Sequence, residues 1–241
     1  TISRAEADTY AGNNTVSVVS PVRGLIGGSG RVAIYGAPST ASWNTDVRNK
    51  ILGVGRFSQV DAFLASSGVA PTLSQLLQYQ SVLVYSDTGF SDPTGLGNVL
   101  ADYVDQGGGL VVATFAFNSG NLPGRIATGG YLPLTIGSGT SSSFLVMAKD
   151  LPDHPILSDV LSLNGGASSY HNFNSLVGGA TLVAHWSNGR PLVAVKPSAG
   201  GIVVGLNFYP PSSDARSDFW SVSTDGAKLL ANALGYASGA V

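Results

Sequence analysis

Three short segments of this chain place polar side chains directly after apolar runs: Ser39-Thr40, Ser86-Asp87-Thr88 and Asn118-Ser119. Hydroxyls and an amide with one carboxylate, gathered at one end of a sheet, suit hydrogen bonding to a neutral polar ligand such as a sugar. Ser39, Thr40, Asp87, Thr88, Asn118 and Ser119 are therefore candidate ligand-binding residues, although the same residue types cap ordinary loops. Two imidazoles join the set. His154, in Leu151-Pro152-Asp153-His154-Pro155, has an adjacent carboxylate that could orient it as acid, base or metal ligand, against the plainer reading of a turn fixed by backbone hydrogen bonds. His171, in Ser168-Ser169-Tyr170-His171-Asn172, falls in a polar loop that could face a cleft, whereas His185 precedes Trp186 in a strand-like run and reads as half-buried packing. Nucleophilic chemistry is poorly served. The chain has no cysteine, and Ser119 sits in Phe117-Asn118-Ser119-Gly120-Asn121, which is not Gly-x-Ser-x-Gly. Asp214, Asp218 and Asp225 surround Phe219-Trp220 without the Asp-x-Asp spacing of a calcium loop. No catalytic residue, metal site or cofactor is assigned.

These loops need a scaffold, and the pattern supplies one from Arg31 onward. Val32-Ala33-Ile34-Tyr35 reads as a buried parallel strand; Val47, Ile51 and Val54 then fall on one helical face that Gly55 stops. A second strand at 60–64 follows, then a short helix capped by Thr72, then a third strand at 81–85. Asp92-Pro93 opens the clearest helix, whose Leu96, Val99, Leu100, Tyr103 and Val104 share one face. Gly107-Gly108-Gly109 ends it and releases a fourth apolar run at 110–117, expected to finish as a strand in Phe115-Ala116-Phe117. Runs at 181–186, 191–195 and 201–208, separated by turns at Asn188-Gly189 and Ala199-Gly200-Gly201, predict an antiparallel extension, and Thr224 is placed to cap a terminal helix. The fold class is therefore α/β: a flavodoxin-like parallel sheet flanked by helices, with an antiparallel extension and an N-terminal arm. Residues 1–30 form the arm, in which 15–19 alternate like a strand and Gly27-Gly28-Ser29-Gly30 is a flexible joint; residues 31–241 form the α/β domain.

Composition narrows the function classes. Only 11% of the 241 residues are charged, against about 25% in an average globular chain, while 44% are hydrophobic and 32 are glycine. A net charge of −2 removes the electrostatic attraction that holds a polyanion, so nucleic acid is excluded as a partner. No apolar run approaches the length of a membrane span. Few charges, no cysteine and much Ser, Gly and Thr suit an exported chain, extracellular or at a cell surface. The only Glu is Glu6, so no catalytic Glu is available to the core.

The strand succession with Gly107-Gly108-Gly109 before the fourth strand, Asp153-His154-Pro155-Ile156-Leu157, the run from Gly201 through Val203-Val204-Gly205-Leu206-Asn207, and the terminal Asp225-Gly226-Ala227-Lys228-Leu229-Leu230 together resemble the class I glutamine-amidotransferase-like superfamily. Among its branches the chain is most similar to ThuA-like and related non-catalytic modules of secreted bacterial proteins, over roughly residues 31–236. The resemblance implies a nucleophile elbow after the fourth strand, where amidotransferases carry Cys, and a later His followed closely by Glu. Here the elbow positions are Phe117 and Asn118, and no Glu follows residue 6. Glutaminase chemistry is thus contradicted, and the expected role is a structural or binding module. Its partners would be other proteins or itself, associating through the arm, with carbohydrate a further candidate. The alternative is a sugar-processing or hydrolytic enzyme using Asp87, His154 or His171 in a ThuA-like cleft.

Overall fold

A computed structural model describes residues 30–239. The arm, with its 15–19 alternation and all but the last residue of its glycine joint, lies outside the described residues.

The first half of the chain alternates strand and helix, as its apolar periodicity requires. β1 (Arg31–Ala37), β2 (Gln59–Leu64), β3 (Ser81–Ser86) and β4 (Gly109–Ala113) pair in parallel in the order β2-β1-β3-β4. Val32, Ala33, Ile34, Val82, Leu83 and Val84 have no solvent exposure. Such continuous apolar runs are what a strand needs when both sheet faces are covered. α1 (Ser42–Gly53) buries Val47 and Ile51 on one face of the sheet, beside α5 (Gly226–Ala237). α2 (Leu73–Leu76) and α3 (Pro93–Asp105) cover the other. Both expected caps of that second face form. Thr72 and Gln75 make a reciprocal capping box, and the Asp92 carboxylate accepts from Gly95 N–H at 3.0 Å, with Pro93 in the first turn.

The second half completes the sheet rather than forming a separate layer. β8 (Thr181–Trp186), β9 (Pro191–Ser198) and β10 (Gly201–Leu206) are antiparallel neighbours, β10 runs parallel to β4, and β6 (Met147–Lys149) closes the far edge. β5 (Gly139–Thr140) and β7 (His171–Asn172) form a small antiparallel pair, and α4 (Arg125–Thr128) and a 3-10 turn at Pro155–Leu157 fill the remaining connections.

Three local expectations need correction. The fourth strand ends at Ala113, not at Phe117: Ala116 N–H bonds back to Ala113 O at 2.9 Å and Asn118 N–H to Phe115 O at 2.9 Å, so the chain turns while remaining apolar. Ala116 and Phe117 are buried inside this turn, and an apolar run alone cannot tell a buried turn from a strand. Thr224 does not cap α5; its hydroxyl donates to Ser221 O and accepts from Asn164 N–H, and Asp225 stands at the cap position. Within the triple glycine, positive φ belongs to Gly107 (+90°), whereas Gly108 is required by space, since a Cβ there would overlap the Tyr103 ring.

Candidate functional site

The strand order reverses between β1 and β3, and in open α/β sheets ligands bind outside the carboxyl ends of the strands at such a switch point. Asp87 occupies it. Asp87 N–H and Thr88 N–H both donate to Ala37 O, at 2.8 and 3.1 Å, and the Thr88 hydroxyl donates to the same carbonyl at 3.2 Å. Ser39 N–H reaches the Asp87 carboxylate at 3.4 Å, so the loops after β1 and β3 meet as expected. Asp87 and Thr88 remain exposed, as do Ser39 and Thr40.

The floor of the crevice is aromatic, which sequence reading missed. Tyr209, just past β10, is 4% exposed and touches five rings: Tyr85 edge-on at 5.7 Å, Phe219 edge-on at 5.0 Å, Tyr170 at 6.4 Å, Trp43 edge-on at 6.5 Å and Phe115 nearly parallel at 5.9 Å. Trp43, from the start of α1, adds an edge contact to Phe219 at 5.0 Å. Tyr209-Pro210-Pro211 is thus buried packing. Burial first, then the nearby Asp87 carboxylate, hold the Tyr209 phenol far above its usual range, and its hydroxyl makes no well-aligned hydrogen bond among the described residues. The Tyr85 phenol, also raised mainly by burial, donates to Asn44 Oδ1 at 2.9 Å.

Arg216 closes the mouth. Its guanidinium carbon lies 4.4, 5.5 and 5.6 Å from the ring centres of Phe219, Tyr170 and Trp43. It donates to both Asp218 carboxylate oxygens, at 2.5 and 2.7 Å, and to the Tyr170 hydroxyl at 2.6 Å. The Arg216 contacts hold Asp218 well below the carboxylate range, and Asp218 raises Arg216 in turn. A space of about 10 Å³ remains among the buried rings. The aromatic residues are spread over positions 43 to 219, and nothing in local periodicity connects them.

The other candidates are elsewhere. Asn118 is half-buried in the turn after β4 and accepts from Asn172 Nδ2 at 2.6 Å; Ser119 beside it is exposed. Behind them Asn207, fully buried at the end of β10, accepts from the Thr114 hydroxyl at 3.1 Å and Asn172 N–H at 2.6 Å, and donates to Asn172 O and Pro191 O. His171 is not in an open loop: it is 1% exposed, with Nδ1 against Ser169 O at 2.8 Å and Nε2 receiving Asn188 Nδ2 at 3.1 Å. Burial lowers its pKa, as it does that of His154. His154 caps the 3-10 turn by accepting from Ile156 N–H and packs on Tyr236 at 4.6 Å. Tyr236 precedes Ala237, which abuts Gly109 at the start of β4, so His154 sits at the opposite end of the sheet from Asp87. The imidazoles therefore do not join Asp87. His185 pairs with Asp150 at 2.8 Å. Asp214, Asp218 and Asp225 pair separately with Lys50, Arg216 and Lys228, and no cluster of three metal-ligating side chains occurs among the described residues.

No family model and no curated protein matches the chain. Solved structures do. A ThuA-like protein from Parabacteroides merdae matches 86% of this chain and 89% of its own with a TM-score of 0.62 at 17% identity. A GMP synthase component from Thermoplasma acidophilum matches 87% and 94% with a TM-score of 0.52 at 10% identity. A β-galactosidase from Bacillus circulans sp. alkalophilus matches 88% of this chain but 31% of its own, with a TM-score of 0.53 at 13% identity. The chain has the ThuA-like, class I glutamine-amidotransferase-like fold that its strand succession resembled.

Proposed function

We propose that this chain is a non-catalytic structural or binding module of an exported protein, and that it associates through its N-terminal arm. The observation that carries this reading is the filled crevice. The fourth strand ends at Ala113 and not at Phe117, so the turn where the fold would present a reactive group carries Phe115 in place of the expected Phe117 and Asn118; Phe115 packs on Tyr170 and Tyr209, and Arg216 lies over the Tyr170 ring. Catalysis needs a positioned nucleophile or base with room for a reacting atom about 3 Å away, and here the rings take that room. The β-galactosidase match, in which this fold is 31% of a longer chain, supports a modular role. Low charge and the absence of cysteine support export, and low charge also lessens the desolvation cost of protein contacts.

A second reading, a sugar-processing or hydrolytic enzyme, draws on one feature: the exposed Asp87 carboxylate near the buried Tyr209 hydroxyl. It lacks an imidazole within reach. Assay of the purified protein and of Asp87→Asn against aryl glycosides, aryl esters and glutamine separates the two. The module reading expects no turnover above a heat-killed control in either protein; turnover lost in Asp87→Asn would overturn it.

A further inference from the structure

Among the described residues the sheet ends at β2 with no strand beyond it. Gly30 O accepts from Gln59 N–H and Gly36 O from Ala65 N–H, so the odd-numbered residues of β2 point their backbone groups at β1. Val60, Ala62 and Leu64 therefore point theirs outward. Arg48 Nε takes the Val60 carbonyl at 2.9 Å, and no strand pairs with the outward groups of Ala62 and Leu64 among the described residues. A pocket of about 480 Å³ opens beside this edge, lined by Phe63, Leu64, Val69, Tyr35, Tyr79 and Phe90 among others. Phe63 and Leu64 are each 40% exposed and Val69 89%. Unpaired strand groups next to an apolar pocket form the two halves of strand-addition recognition, in which main-chain bonds give affinity and the pocket selects side chains.

We propose that the β2 edge and its pocket receive residues 15–19 of the arm of a second copy of this chain. The inference rests on the association reading above and names its acceptor surface. The length and attachment of the arm support it: 29 residues precede Gly30, which is tied to the start of β2 through Ser58 and Gln59, and the ten residues of 20–29 can span about 33 Å when extended. The segment's alternation in Thr15-Val16-Ser17-Val18-Val19 supplies the apolar side chains, since pairing as a strand would set Val16 and Val18 on one face. The donor is assigned to a second copy on the association reading alone, and the chain's own arm is the outcome that the mass measurements below separate from it.

The test uses full-length protein, protein lacking residues 1–24, and a labelled peptide of residues 12–22. Ala62→Pro removes an outward N–H that β1 does not use, and Val69→Lys charges the pocket rim without touching the core. The peptide should bind the shortened protein saturably, and either acceptor variant, or Val16→Asp with Val18→Asp in the peptide, should weaken binding about tenfold or more. Light scattering of the full-length protein should show mass rising with concentration, and the acceptor variants should suppress the rise. If full-length protein associates but both acceptor variants leave it unchanged, the surface is wrong while the association reading stands. If full-length protein stays monomeric at every concentration, both fall, and peptide binding in that case would assign the edge to the chain's own arm.

Discussion

The Arg216 guanidinium carbon stands 4.4 Å from the centre of the Phe219 ring while its nitrogens hold the Asp218 carboxylate. A cation over a ring face and a bidentate carboxylate pair act together here, so Arg216 both neutralises Asp218 and covers the aromatic floor. Arg216→Ala should cost about 1 kcal/mol, the pair being largely solvent-screened, and should raise acrylamide quenching of tryptophan fluorescence as Trp43 is uncovered. Arg216→Lys should not restore the loss, because an ammonium cannot match the planar fork. Equal quenching in wild type and Arg216→Ala would show that the residue covers nothing.

The same pair sets an acid dependence. Asp218 has a folded-state pKa below its unfolded value, so its contribution is present above about pH 3.9 and is lost as pH falls through the lower folded value. Denaturation midpoints of wild type and Arg216→Ala should therefore differ at pH 6 and converge toward pH 2. A constant gap would place the Arg216 contribution in ring contact alone.

Gly108→Val should be strongly destabilising for a spatial reason, not for backbone strain. The Tyr103 ring occupies the place of the new side chain, and Tyr103 is itself fully buried with its hydroxyl donating to Tyr79 O at 2.8 Å. Overpacking of this kind costs about 1–3 kcal/mol. Gly108→Val combined with Tyr103→Ala should recover part of the loss relative to the sum of the single changes; strict additivity would refute the contact.

His171 titrates in the opposite sense to a histidine that gains an acidic partner. Burial lowers its folded pKa, so the unfolded chain binds more protons between the two values. The stabilising contribution of neutral His171 is complete above about pH 6.5 and declines as pH falls below it. The melting temperature should drop from pH 7.5 to pH 5.5, and His171→Gln should flatten that part of the profile. An unchanged slope in the variant would assign the dependence to His154, which is lowered in the same direction.

Elements were legible wherever one face of a helix or both faces of a strand carry the apolar residues: Val47 and Ile51, Leu96 and Leu100, Val32 through Ile34. Their spacing is local, and burial imposes it. Caps were legible where the side chain meets its own helix, at Thr72 and Asp92, and misread at Thr224, whose partners come from Asn164 and Ser221. The switch-point loops were also legible, because Ser39, Asp87 and Thr88 follow strands directly. The aromatic crevice was not. Trp43, Phe115, Tyr170, Tyr209, Arg216 and Phe219 come from five separate segments, and only the closed sheet order brings them together. His171 illustrates the same limit, since one of its two ring partners, Asn188, comes from the turn between β8 and β9.

Asn207 should be among the least replaceable polar residues. Its side chain satisfies the Thr114 hydroxyl, Asn172 N–H, Asn172 O and Pro191 O together, and it joins β4, β10 and β7 behind the crevice. Asn207→Leu leaves several buried groups unpaired, each worth about 1–3 kcal/mol, so a loss of at least about 3 kcal/mol is expected. Urea denaturation measures it, and a loss below about 1 kcal/mol would mean that water replaces the amide.

The last prediction concerns chemistry. The protein should release no ammonia from glutamine, and installing a thiol at the turn after β4 should not change that. A thiolate is activated by a neighbouring base or positive charge. Phe115 lies against Tyr170 and Tyr209, not against an imidazole. His171 has both nitrogens engaged by Ser169 and Asn188, and His154 caps a turn at the other end of the sheet. Arg216 could lower a thiol pKa there, so Phe115→Cys should gain reactivity toward iodoacetamide without gaining glutamine turnover. Turnover by wild type above a heat-killed control would overturn the non-catalytic reading outright. Turnover by Phe115→Cys alone would show instead that the crevice keeps a competent base and has lost only its nucleophile.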